Sequence, residues 1–301
     1  MKTRGSYGLK RWIPYLFLAP TLISLLTFNY YPALSALYYS FTDWNGFNAP
    51  HFIGFDNFVE MMKSLDFQTG FRNMLIITLF SVFVSVTIPA IAAEFIYKVQ
   101  KPRLQHFYRL MFVFPLVIPG MVILLLWQFL LNPEVGLVNS LLSSFGVSEE
   151  HLPLWLGSPD TALASFMLIG FPWVNGVGVL IYLAGFQNIP RSVIEAAKMD
   201  GATGWSLIWR IEVPLITSQI KLIAILNIIG GIQAFQNQLV LTGGGPGYST
   251  TVPGFIMYQA AMSASRFGYA SAIGLVLFVL IFIFTLINNK YIKSDTEYSP
   301  D

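Results

Sequence analysis

Very few residues in this 301-residue chain could do covalent chemistry. There is no cysteine, which excludes disulfides, iron–sulfur clusters and thiolate zinc. The three histidines, His51, His106 and His151, are scattered without ligand spacing, so no metal is expected. No paired carboxylates, and no nucleophile beside a base, suggest an active site. The run 241–250, LTGGGPGYST, has the glycines of a phosphate loop but lacks its lysine. Tyr248 follows Gly247, and no Lys occurs between Gln236 and Phe267, so nothing there would reach the β- and γ-phosphates. The plain reading of that run is a flexible turn.

The stretch that stands out is 195–214, EAAKMDGATGWSLIWRIEVP, polar and charged in an otherwise oily sequence. Glu195, Ala196, Ala197, Lys198 and Met199 favour a helix. Pro190 prevents a regular helix from running straight through from the segment before it. Gly201 can take the positive φ that ends a helix, and Pro214 suits the first turn of the apolar helix that follows. The spacing predicts a short helix, a glycine bend and a second helix, presenting an Ala face and one carboxylate. Taken alone, it also fits a solvated loop between membrane helices.

The surrounding elements follow from composition. Hydrophobic residues make up 55% of the chain and charged residues 11%, against roughly 25% charged in soluble domains. With a mean hydropathy of +0.62, the chain belongs in a bilayer. A net charge of +2 and unclustered basic residues argue against a nucleic-acid partner. Six apolar runs, 12–39, 71–97, 110–131, 162–186, 213–235 and 269–289, each reach about 20 residues or more. At 1.5 Å per residue that crosses a hydrocarbon layer of roughly 30 Å. The first run is too long for a signal-peptide core and shows no clear cleavage site, so an uncleaved span is expected. The segments 42–70 and 236–268 read as outside loops, each with one short helix. Glu94 and Lys98 are spaced for a local ion pair, and Lys221 for snorkelling to the inner headgroups. With both termini inside, 13 of the 17 Lys and Arg fall inside and 3 outside. That bias sets the termini and the loop 190–214 in the cytosol.

The loop reads Glu-Ala-Ala, three residues, Gly201, nine residues, Ile211, one residue, Val213-Pro214. It resembles the EAA loop of permease subunits in bacterial ATP-driven (ABC) importers, with Val213 where that loop has Leu. Tyr31-Pro32, the run 40–43 (SFTD), the run 53–58 (IGFDNF) and Leu241-Thr242 followed by Gly244-Gly245-Pro246 resemble the maltose- and glycerol-phosphate-type sugar permeases. The resemblance covers nearly the whole chain. It implies an all-α polytopic membrane protein with six transmembrane helices and the type I ABC importer permease fold. The segment 1–70 would hold the first helix and an external loop, 71–289 the transmembrane core with the coupling loop 190–214, and 290–301 a cytoplasmic tail. The chain would be a multi-pass protein of the bacterial inner (plasma) membrane and not itself an enzyme. ATP and Mg would belong to a partner ATPase, leaving this chain without a cofactor. The implied partners are a second homologous permease subunit, an ATPase dimer and an extracytoplasmic solute-binding protein. Glu195, Ala196, Ala197, Asp200, Gly201 and Pro214 would couple to the ATPase, and Gly244, Gly245 and Pro246 would face the binding protein.

A sugar substrate asks for amide hydrogen bonds to its hydroxyls and an aromatic face against its ring. Trp173 and Asn175 in the fourth run, and Asn227 and Gln233 in the fifth, are of those types. Asn227, Gly231 and Ala234 share one helical face, whose single amide and two small residues leave room beside the helix. The resemblance places Asn227 and Gly231 at the central sugar site. Hydrogen bonding between helices is the competing role for all these amides. The expected function is binding-protein-dependent import of a sugar or oligosaccharide by alternating access. The alternatives are a non-sugar solute such as glycerol phosphate, or a secondary transporter, which would be expected to show midplane coupling carboxylates and repeated broken helices.

Overall fold

The computed structural model describes residues 7–291; residues 1–6 and most of the expected tail lie outside the described residues. The chain opens with α1 (Tyr7–Leu25), a π turn (Leu26–Tyr30) and α2 (Tyr31–Tyr39), which follow one another without a break. Next come α3 (Asp56–Lys63) and α4 (Leu65–Lys98), the latter started by Ser64, whose hydroxyl accepts from the Phe67 N–H. The third apolar run becomes α5 (Pro102–Val113), a 3-10 turn (Phe114–Val117) and α6 (Gly120–Leu130). Then follow α7 (Leu137–Ser144), α8 (Pro159–Leu168), α9 (Gly176–Gln187) and α10 (Arg191–Met199). The remaining elements are α11 (Trp205–Leu207), a π turn (Ile208–Glu212), α12 (Val213–Leu215), α13 (Thr217–Gln233), α14 (Gln236–Leu241), α15 (Pro253–Met262) and α16 (Phe267–Tyr291). Among the described residues there is no strand, only an isolated bridge between Thr42 and Phe52.

α4 and α16 are each long and apolar enough to cross a bilayer unaided. Three bent pairs reach that length only if each is counted as one span, which gives between two and five among the described residues. α5 with its 3-10 turn meets α6 at 88°, α9 meets α10 at 70°, and the Trp205–Leu215 segment meets α13 at 67°. The expected first span lies outside these five and is the helical run from Tyr7 to Tyr39. The expected fourth span, 162–186, is not continuous. α8 stops at Leu168, and the chain runs through Gly170 (φ +84°) and Trp173 (φ +57°) before Asn175 caps α9. Gly170 and Pro172 break the helix, and hydropathy hides both among apolar neighbours. The fifth apolar helix begins at Thr217, not Val213, so Pro214 lies in the short turn before it rather than in its first turn. Large apolar side chains such as Phe17, Phe28, Phe83, Phe95 and Phe278 lie exposed along the long helices, as lipid contact requires.

The described chain forms two units, one from the residues up to Lys63 with Met257–Val276, the other from Ser64–Ile256 with the residues from Leu277 on. In the first, buried Asn57 donates to the carbonyls of Ser40 (3.0 Å) and Thr42 (2.8 Å) and so ties α3 to the end of α2. Tyr39 stacks on Trp44 at 3.9 Å, Trp44 packs against Phe267, and Arg266 pairs with Glu60 at 2.6 Å. In the second, α4 is the central helix. Its Ala93 and Ile96 pack with Val179, Tyr182, Leu183 and Phe186 of α9 and with Ile223 of α13. Small residues permit that approach. A Cβ added at Gly178 would lie 3.1 Å from Pro89 of α4, and one at Gly231 would lie 2.7 Å from the Thr78 hydroxyl.

Candidate functional site

The polar segment folds as a capped knob. α10 runs from Arg191 to Met199 and ends at Gly201, which takes φ +87°. The Ala202 N–H donates to the Ala197 carbonyl (2.9 Å) and the Gly201 N–H to that of Lys198 (3.1 Å). These two bonds make a Schellman cap, which needs a left-handed residue at the position of Gly201. Glu195, Ala196, Asp200 and Gly201 are exposed together, whereas Ala197 faces inward and is buried. Pro214 lies beyond the π turn, at the junction with α13; there its carbonyl accepts from the Thr217 hydroxyl at 2.7 Å. Sequence reasoning missed the knob's apolar rim. Met199, Trp205 and Trp209 are 84%, 75% and 63% exposed. Two tryptophans within five residues of a polar loop were the available signal. It also missed Glu212, only 2% exposed, whose Oε2 lies 3.6 Å from Lys98 Nζ. Lys98 pairs at the same time with Glu94, as their spacing predicts.

A cleft of about 200 Å³ opens between α4, α9 and α13, lined by Ser85, Asn175, Val177, Gly178, Ile181, Ile223, Leu226 and Asn227. Asn175 caps α9, its Oδ1 accepting from the Val177 N–H (2.9 Å) and the Gly178 N–H (3.4 Å). Asn227 donates from Nδ2 to the Ile223 carbonyl at 2.9 Å. The committed atoms differ, so Asn175 has a donor to offer and Asn227 an acceptor. Ser85 adds a hydroxyl that sequence reasoning did not single out. The cleft brings Asn175 and Asn227 together and leaves Gly231, Trp173 and Gln233 out of its lining. The space expected beside Gly231 is taken by Thr78. Trp173 donates to the Met167 carbonyl (2.9 Å) and packs edge-on against Phe80 and Phe171. Gln233 is exposed at the last residue of α13.

The glycine-rich run is more ordered than a flexible turn. The Thr242 and Thr250 hydroxyls are 2.7 Å apart, and Thr250 donates to the Gly245 carbonyl at 2.8 Å. Asn73 of α4 points one amide nitrogen at the carbonyls of Tyr248, Ser249 and Thr251, each at 3.0 Å. Gly244 is buried at φ +87°, and a Cβ there would lie 2.5 Å from the Thr251 hydroxyl. Gly245 and Pro246 are partly exposed, and Tyr248 projects outward.

A helical membrane scaffold with a capped polar knob and an uncharged cleft is the kind of frame a solute permease needs. Residues 85–293 match the family described as binding-protein-dependent transport system inner membrane component. The chain belongs to this family, and its fold is that of type I ABC importer permeases. It is 32% identical over 95% of its length, and 97% of the relative's, to a probable ABC transporter permease protein YurN of Bacillus subtilis. It is 29% identical, over 95% of this chain and 97% of the other, to the multiple sugar-binding transport system permease protein MsmF of Streptococcus mutans. It is also 29% identical, over 96% of each chain, to the sn-glycerol-3-phosphate transport system permease protein UgpA of Escherichia coli. The crystal structure of a bacterial alginate ABC transporter, in complex with its alginate pentasaccharide-bound periplasmic protein, contains a chain that superposes with a TM-score of 0.81. That match is 25% identical and covers 95% of this chain and 96% of the other. The chain is accordingly a multi-pass membrane permease of the binding-protein-dependent importer type.

Proposed function

We propose that this permease imports a neutral sugar or oligosaccharide, powered by ATP hydrolysed in a separate ATPase dimer. The observation that carries the substrate class is the cleft. It offers two side-chain amides and a hydroxyl against apolar walls, with no charged residue in its lining. Neutral hydroxyls both donate and accept, which suits the donor of Asn175 and the acceptor of Asn227. A phosphate or uronate would call for Arg or Lys at hydrogen-bonding distance. The sugar named for the Streptococcus relative agrees with this choice better than the glycerol phosphate named for the Escherichia one.

Coupling to the motor is assigned to the knob of Glu195, Ala196, Asp200 and Gly201, with Ala197 holding it to the core and Pro214 at its junction with α13. The knob would face the cytosol with both termini, a placement the Lys and Arg bias supports. ATP-driven closure of the ATPases would move it as a rigid body and turn the cleft outward; hydrolysis would reset it. Gly245 and Pro246, with Tyr248, would form the edge that meets the binding protein, with buried Gly244 shaping the turn behind them rather than touching the partner, and a second homologous permease would complete the pathway. Uptake by the complete transporter in proteoliposomes tests the substrate class. With a radiolabelled mixture of neutral oligosaccharides, Asn227→Leu is expected to slow uptake about tenfold while the binding protein's own affinity stays the same. One lost hydrogen bond that strengthens along the path accounts for that size. Uptake at the wild-type rate would remove Asn227 from the sugar path and leave it as a helix-bonding residue.

A further inference from the structure

α4 touches all three candidate regions. It has 34 residues and is about 50 Å long at 1.5 Å per residue. Near its start, Asn73 holds the glycine-rich run through three carbonyls. Midway, Ser85 lines the cleft. At its end, Lys98 joins Glu94 of the same helix to Glu212 at the foot of the knob. Asn73 and Lys98 are about 38 Å apart along the axis.

Neither attachment is explained by stability alone. Burying Glu212 beside a second carboxylate and a single ammonium is costly, and an apolar residue of similar size would serve packing as well or better. What a buried ion pair supplies is a fixed relative position for the two segments it joins. Glu212 reaches it by way of a π turn, a local widening of the helix of the kind frequent at functional sites. Asn73, 5% exposed, likewise spends its amide on the loop carbonyls of Tyr248, Ser249 and Thr251 rather than on a neighbouring helix. Between the two ends, Pro89, where an α-helix bends most readily, is buried with Gly178 packed against it.

We propose that α4 is the transmission rod of this permease, pinned to the knob by Lys98 between Glu94 and Glu212 and to the glycine-rich loop by Asn73. Lys98, Glu212 and Asn73 are positioning residues: docking at one end shifts the rod, and the other end follows. The proposal rests on the importer reading given above. Its test is the ATPase rate of the reconstituted complete transporter, with and without saturating solute-binding protein as purified. The ratio of the two rates is the readout, because a residue that merely holds the fold would not move it. Lys98→Glu gathers three carboxylates at the joint and is expected to lower the ratio about fivefold or more. Adding Glu212→Lys returns one cation between two carboxylates and is expected to restore the ratio. Asn73→Leu, far from the charges, is expected to lower the ratio as Lys98→Glu does. If Lys98→Glu alone does not assemble, the charge swap and Asn73→Leu decide the matter. Either single variant keeping the wild-type ratio, or an assembled charge swap failing to recover it, would overturn the rod. A wild-type transporter showing no stimulation at all would instead refute the importer reading.

Discussion

Gly201 holds a φ of +87° that β-carbon-bearing residues adopt only with strain, while space around it is open. Substitution there should act through backbone strain and not through a clash. Asn tolerates the left-handed region and Val does not. ATPase retained on the purified complex should therefore fall in the order Gly201, Gly201→Asn, Gly201→Val; equal retention by all three would separate the cap from docking. The external loop offers a residue-scale control. The His51 N–H donates to Asp43 Oδ1 at 2.8 Å and holds the Asp43 carboxyl below its usual range, with the His51 ring adding to the effect. A depressed carboxylate stabilises the fold above its unfolded value of about 3.9, and that contribution fades as pH falls through the lower folded value. Opening of the peptide 42–53, read by hydrogen exchange corrected for intrinsic rates, should accordingly increase as pH falls below about 4. Opening that stays level through that range would show that the Asp43 carboxylate does not hold the loop.

Two neighbouring glycines in α13 test the packing of elements. Gly231 faces Thr78 of α4 with no room for a methyl group, whereas a Cβ at Gly230 would meet nothing within 4 Å. Gly231→Ala should cost about 1–3 kcal/mol through overpacking. Gly230→Ala should be neutral or gain up to about 1 kcal/mol from helix propensity. Thermal unfolding in detergent should separate the two by several degrees, and matching midpoints would contradict the α4–α13 seam. Elements were legible to different depths in the sequence. α4 and α16 were plain because their apolar runs are long and, Pro89 of α4 apart, free of helix breakers at their centres. The break between α8 and α9 was not, because Gly170, Pro172 and Asn175 sit in a run whose average hydropathy stays high. The same averaging drew the fifth span back to Val213, although the chain turns at Ile216 before α13 begins. The glycine-rich run looked loose because its order comes from Asn73, 175 residues before Tyr248, and a one-dimensional reading cannot see a partner so remote.

At the scale of the molecule, family and fold were carried by a six-position spacing, 195–214, together with a composition that water cannot accommodate. The substrate path was carried only in part. Asn175 and Asn227 line one cleft, but which amide offers a donor and which an acceptor depends on caps and turns that only the folded backbone defines. Glu212 was visible as a charge and invisible as a buried one. The absence of cysteine in the chain makes the most direct experiment clean. Glu195→Cys in the assembled transporter can be probed with a membrane-impermeant maleimide in sealed vesicles of known orientation, with and without the ATPase bound. A knob that docks on a cytosolic motor predicts labelling only from the cytosolic face, and protection when the ATPase is present. Labelling from the opposite face, or equal labelling with and without the ATPase, would contradict it.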